Sequence, residues 1–136
     1  MVFFSVSCYT KHIFCTEGIH MFTFTKDCLI GVPAIDDEHR TLFELIAKTD
    51  ASLHSGEGSI SEAMSMLNEL KQYAKNHFAH EEAYMESINY KHMFIQKVQH
   101  DQFREKINDM NLEHLDENTE QLLEDILSYL TNWLIN

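Results

Sequence analysis

The chain is short of residues that interrupt structure: one proline and four glycines among 136 residues, of which 44% are hydrophobic. That is the make-up of a single globular domain with a sizeable core. Basic residues are also scarce, 10 against 22 acidic ones, and the net charge is −12. An acidic surface gains no counterion release on nucleic acid or on an anionic membrane, so neither is expected as a partner. No apolar run approaches the ~18–20 residues that cross a bilayer. Three cysteines, at 8, 15 and 28, are too few and odd in number for a disulfide framework, which favours a reducing cytoplasm. No Lys or Arg precedes Lys11, so the start lacks the basic stretch of a secretory signal. Cys-x-x-Cys, a glycine-rich phosphate loop and G-x-S-x-G are all missing. His80-Glu81 opens an H-E-x-x-H pattern that Tyr84 breaks. What is plentiful is histidine, nine in all.

Residues 1–20 mix aromatic, cysteine and small polar residues without period, and read as a disordered or mis-assigned extension. A short regulatory arm is the competing reading. Residues 21–136 form the domain. Residues 21–33 look extended, ending in Gly31, Val32 and Pro33, where proline can open a helix. The spacing predicts a first helix over about 35–53, with Ile35, His39, Leu42, Phe43, Leu45 and Ile46 inward. Ser59 and Glu62 make a capping box for a second helix reaching about residue 88. Its stripe is Leu67, Leu70, Ala74, His77, Phe78, Glu81, Met85 and Ile88. A third helix from about residue 91 carries Met93, Gln96, His100, Phe103, Ile107 and Met110. After a turn over 114–118, a fourth carries Leu122, Leu123, Ile126, Leu127, Leu130, Trp133 and Leu134. Four amphipathic helices with short connections predict an all-α, antiparallel up-down four-helix bundle behind an extended N-terminal arm.

Inner stripes of a bundle normally hold aliphatic and aromatic side chains, because a buried polar group without a partner costs several kcal/mol. Here His39, His77, Glu81, Gln96 and His100 interrupt three stripes. A single buried histidine is usually a hydrogen-bonded core residue. Three histidines and a carboxylate converging from three helices are accounted for together by a cation, for which imidazole and carboxylate are natural ligands. His12, His20, His54, His80, His92 and His114 lie off the stripes or in turns and are expected to face solvent. The methionines are most simply core filler.

Ile35-Asp-Asp-Glu-His39, His77-Phe-Ala-His-Glu81-Glu-Ala-Tyr-Met85 and His100-Asp-Gln-Phe103 resemble the signature of the hemerythrins, in particular the bacterial single-domain kind, over about 21–136. The resemblance implies a four-helix bundle holding two non-haem irons through five histidines and two bridging carboxylates, and reversible binding of dioxygen rather than enzymatic turnover. It implies His39 and His77 as ligands to one iron, Glu81 as a bridge, and His100 as a ligand to the other.

Two departures stand beside it. Where the family's third helix carries H-x-x-x-H, the first position here is Gln96, a neutral and poorer ligand for iron. The family's fourth helix runs on past its W-L pair to a histidine and an aspartate, whereas this sequence ends at Asn136, so a fourth helix cut short of the last two ligands is expected. His39, His77 and Glu81 alone resemble a two-histidine, one-carboxylate site suited to one Fe(II). Three readings follow: a dioxygen carrier, store or sensor; a mononuclear iron redox protein; and a metal-free bundle serving as an interaction module. Protein partners are not legible.

Overall fold

The computed structural model describes residues 24–113 and 119–135, together with the backbone of 15–16 and 19–20. Residues Cys15–Thr16 (β1) pair antiparallel with Ile19–His20 (β2). The expectation for 1–20 otherwise lies outside the described residues, as does the turn at 114–118. Four helices follow: α1 (Pro33–Ser55), α2 (Ile60–Ser87), α3 (Met93–Glu113) and α4 (Thr119–Ile135). They form the up-down bundle that the periodicity predicts. α1 packs on α2 and α4, α2 packs on α3, and the α3–α4 seam is thinner. No helix among the described residues is long and apolar enough to cross a membrane.

The helix ends follow from particular residues. Pro33 occupies the first turn of α1, where its missing N–H costs nothing. Gly56, at φ 66°, ends α1 in the left-handed conformation that a side chain disfavours. The Ser59 hydroxyl accepts the Glu62 N–H at 3.2 Å, and the Glu62 carboxylate accepts the Ser59 N–H at 2.9 Å, so the expected capping box is formed.

The arm before α1 is more structured than its composition suggests. A 3-10 turn, Lys26–Cys28, replaces part of the expected extended segment, closed by the Cys28 N–H donating to the Thr25 carbonyl at 3.0 Å. The buried Asp36 carboxylate accepts the N–H groups of Ile30 and Gly31 at 2.7 and 3.1 Å and so pins the arm to the first turn of α1. Cys28 is buried and disulfide-bonded.

The core runs along the bundle through Leu42, Ile46, Leu67, Leu70, Phe78, Phe103, Ile107, Leu123, Ile126 and Leu130, all buried. Met93, Leu127 and Trp133 are only partly buried, at the stripe edges. The Leu67 side chain is fully buried at the centre, so Leu67→Ala is expected to cost about 2–5 kcal/mol. Ser59→Ala, which removes only the cap, should cost about 1 kcal/mol. Urea denaturation of the two variants against the parent checks both the values and their order.

Candidate metal centre

Toward the end of the bundle that holds the α2–α3 turn, the core changes from aliphatic to polar. Among the described residues, the buried polar and charged side chains are Asp36, His39, Thr49, His77, Glu81, Gln96 and His100. Five of these seven are the residues that interrupt the sequence stripes. His77 and Glu81 share one face of α2 because they lie one helical turn apart. His39 enters from α1, its ring edge-on to His77 with centroids 4.9 Å apart. Ligand atoms of His39, His77 and Glu81 all lie within 4.8 Å of one another, close enough to hold a metal ion.

His100 joins from α3. Its Nε2 stands 3.0 Å from Glu81 Oε2, while His77 Nε2 stands 3.8 Å from the same oxygen. Glu81 Oε1 is buried and has no hydrogen-bond partner. A carboxylate withdrawn from water with one oxygen unsatisfied is costly in a metal-free core. A cation bridged by that carboxylate removes the cost, so the donor set fits a metal. Gln96 is also buried, one turn before His100, and its amide nitrogen makes no hydrogen bond.

Two carboxylates outside the stripes complete the arrangement. Glu38, on α1, accepts a hydrogen bond from His77 Nδ1 at 2.8 Å and also contacts His80 Nδ1. Glu82, on α2, accepts from His100 Nδ1 at 3.0 Å and is held in turn by Arg104 at 3.3 Å. With each Nδ1 carrying the proton, each Nε2 directs its lone pair toward Glu81. Lone pairs on His100 Nε2 and Glu81 Oε2 at 3.0 Å require positive charge between them, a proton or a metal ion. Outer carboxylates of this kind fix the tautomer and raise the basicity of a ligating imidazole.

Aromatic rings wall the centre. Phe78 stacks on His100 at 4.0 Å with an 8° interplanar angle, and Tyr73 stacks on His77 at 5.1 Å. Trp133 closes against Phe78 and Phe103. Burial pushes His39 down to about 3, helped by the neighbouring His77. Burial also lowers His77, against the opposing pull of Glu81 and Glu38. Both imidazoles are therefore neutral near pH 7, the form that ligates metal. Tyr90 is held protonated by burial first and by the charge of Glu81 second.

The structure thus brings together His39, His77 and Glu81, links His100 to them through Glu81, and buries Gln96 on the His100 face. His54, His80 and His92 are exposed, as expected. His12, His20 and His114 lie outside the residues whose side chains are described. Sequence reading missed Glu38 and Glu82 as members of the centre. Glu38 and Glu82 each neighbour a stripe residue, and that adjacency is the one available signal.

A helical bundle with a buried histidine–carboxylate cluster defines a metal-binding protein. The family model described as hemerythrin HHE cation binding domain matches residues 30–136, and the chain belongs to that family. It is 34% identical to a bacteriohemerythrin of Clostridium acetobutylicum over 117 residues, 84% of this chain and 90% of that protein. A bacteriohemerythrin of Stenotrophomonas maltophilia is 26% identical over 118 residues, 85% of this chain and 73% of that protein. No solved structure matches.

The neutral histidines carry a pH dependence. In the unfolded chain they take up protons below the ordinary value of 6.5, while in the metal-free fold they resist doing so. Their contribution is complete above that value and is lost as pH falls, at up to about 1.4 kcal/mol per pH unit for His39. For His39 the loss continues to about pH 3. Denaturation of the metal-free chain at pH 7.5 and 5.5 is expected to show a clear drop at the lower pH, and equal stabilities would contradict the assignment.

Proposed function

We propose that this protein binds dioxygen reversibly at non-haem iron, as a carrier, store or sensor. The observation that carries this reading is the buried, incompletely satisfied Glu81 carboxylate facing imidazoles from three helices. His39, His77 and Glu81 would hold one iron, and His100 with Glu81 and the Gln96 amide would hold a second. Iron, when bound, supplies the electrons that dioxygen binding draws on.

The protein's own part is positional. Glu38 and Glu82 keep the protons of His77 and His100 on Nδ1, turning each Nε2 toward Glu81 as a ligand atom. The Phe78 and Tyr73 rings limit water and hold the imidazole planes. Burial, and then the charge of Glu81, keep a proton on the Tyr90 hydroxyl.

Gln96 favours a second reading with one iron. It is neutral, and only His39, His77 and Glu81 bring three ligand atoms within 4.8 Å among the described residues. That set suits a single Fe(II) with open coordination positions, which would make the chain a mononuclear redox protein.

Elemental analysis after anaerobic Fe(II) loading, with visible spectra before and after air, separates the two. Close to two irons per chain with a new oxygen-dependent band, reversed on removing oxygen, is the expected result. One iron without such a band would move the assignment to the mononuclear site, and no iron would overturn both. Glu38→Gln keeps the shape of the side chain but weakens its hold on His77. It is expected to lower Fe(II) or Co(II) affinity about 10–100-fold while leaving the helical circular dichroism unchanged. Unaltered affinity would remove Glu38 from the centre.

A further inference from the structure

The chain has only 10 basic residues, and three of them meet in one groove. Asn68, Lys71, Gln72 and Lys75 are spaced i, i+3, i+4 and i+7 along α2, which puts them on one face of that helix. Arg104 and Asn108, one turn apart on α3, lie across from them. With the buried Ile107 these residues line a groove of about 510 Å³ between the two helices. No carboxylate lines it, although the chain carries 22 acidic residues. The groove between α1 and α2 is the contrast. Glu38 and Glu69 line that one, and Lys48 already donates to Glu69 at 2.9 Å.

The polar groups of the α2–α3 groove are uncommitted. Among the described residues, the Lys71 and Lys75 side chains form no ion pair, and the amides of Asn68, Gln72 and Asn108 form no hydrogen bond. Arg104 differs. It donates to Asp101 at 2.7 Å and to Glu82 at 3.3 Å, so its charge is matched and it frames one end of the groove. The unmatched positive charge belongs to the two lysines, one helical turn apart. Like charges at that spacing repel, and Lys71 is half-buried, which strips part of its hydration. An anion held between them turns that repulsion into attraction.

Size and chemistry narrow the occupant. Sites for small molecules measure about 300–1,000 Å³, and this groove is far larger than a lone inorganic ion needs. Ammonium groups bind phosphate as point charges. Three side-chain amides beside them offer both donors and acceptors, which suits hydroxyl groups. A long polyanion fits poorly, because the net charge of −12 repels phosphates that run on beyond the groove.

We propose that the α2–α3 groove binds a small organic phosphate, its phosphate between Lys71 and Lys75 and its hydroxyl-bearing part against Asn68, Gln72 and Asn108. The inference is independent of the metal reading, since no candidate metal ligand lines the groove.

Calorimetric titration of the full chain with ribose 5-phosphate tests it, with ribose, succinate and inorganic phosphate as comparison ligands. Saturable binding of ribose 5-phosphate, weakened by added sodium chloride, is expected, with none of ribose. Lys71→Gln and Lys75→Gln should each weaken it at least ~10-fold, the loss expected for a hydrogen bond to a charged group, while Lys71→Arg should retain it. Neither lysine is fully buried, so helicity, melting and metal content should stay as in the parent. Absence of saturable binding by the parent would overturn the proposal, and so would binding that survives in the Lys71→Gln, Lys75→Gln double variant. Succinate bound as tightly as ribose 5-phosphate would overturn the phosphate assignment. Inorganic phosphate bound as tightly would overturn the part given to the three amides.

Discussion

Burying a carboxylate among imidazoles in a helix-bundle core is the constraint on which this structure turns. Glu81 is 2% exposed, with one oxygen facing His77 and His100 and the other unsatisfied. Removing such a group from water costs several kcal/mol unless an opposite charge is supplied. His39 cannot supply it, because its own burial holds it neutral. The 3.0 Å contact between Glu81 Oε2 and His100 Nε2 needs a proton or a cation between the two atoms, and a cation would also serve the unsatisfied Oε1. Binding energy then becomes folding energy, since the ligands converge only in the folded bundle.

The bundle meets that constraint with a cross-helix pattern. Each helix that contributes an inward imidazole receives, or gives, a carboxylate from a neighbour: Glu38 of α1 supports His77 of α2, and Glu82 of α2 supports His100 of α3. These bonds fix the rings and also lock the register of α1 against α2 and of α2 against α3. The Glu38 link extends to the surface through His80, which is 64% exposed. The Glu82 link extends through Arg104 to Asp101. Both supports thus end in groups that water can screen, so the charge of each outer carboxylate is partly compensated without entering the core.

Periodicity carries most of the bundle because it depends on local spacing alone. The inward positions of α2 and α3 repeat at three and four residues, and Leu67, Leu70, Phe78, Phe103 and Ile107 are buried where that repeat places them. The capping box of Ser59 and Glu62 was legible for the same reason, its two partners being three residues apart. Glu38, Glu82 and Asp36 were not. Glu38 and Glu82 sit beside stripe residues, on the flank that periodicity assigns to solvent, and only the packing of a second helix turns that flank into a support. Asp36 was hidden because its partners, the N–H groups of Ile30 and Gly31, belong to a turn with no side-chain signature. The 3-10 turn at Lys26–Cys28 is likewise closed by a backbone bond, from the Cys28 N–H to the Thr25 carbonyl.

Gln96 shows where family resemblance and physical reading separate. Resemblance alone marks it as a lost ligand. The structure keeps the side chain buried, one turn from His100, with its amide nitrogen unsatisfied. A residue released from ligation would gain by becoming apolar, since a buried amide without partners costs free energy that Leu or Met would not. An amide oxygen can still coordinate a hard cation, although it neither carries charge nor offers the basicity of imidazole. Its presence therefore weakens the donor set on the His100 side without changing that set's formal charge. The two sides of the cluster are unequal: one has the neutral imidazoles of His39 and His77 beside the carboxylate, and the other has the His100 imidazole held by Glu82, with the buried Gln96 amide one turn away.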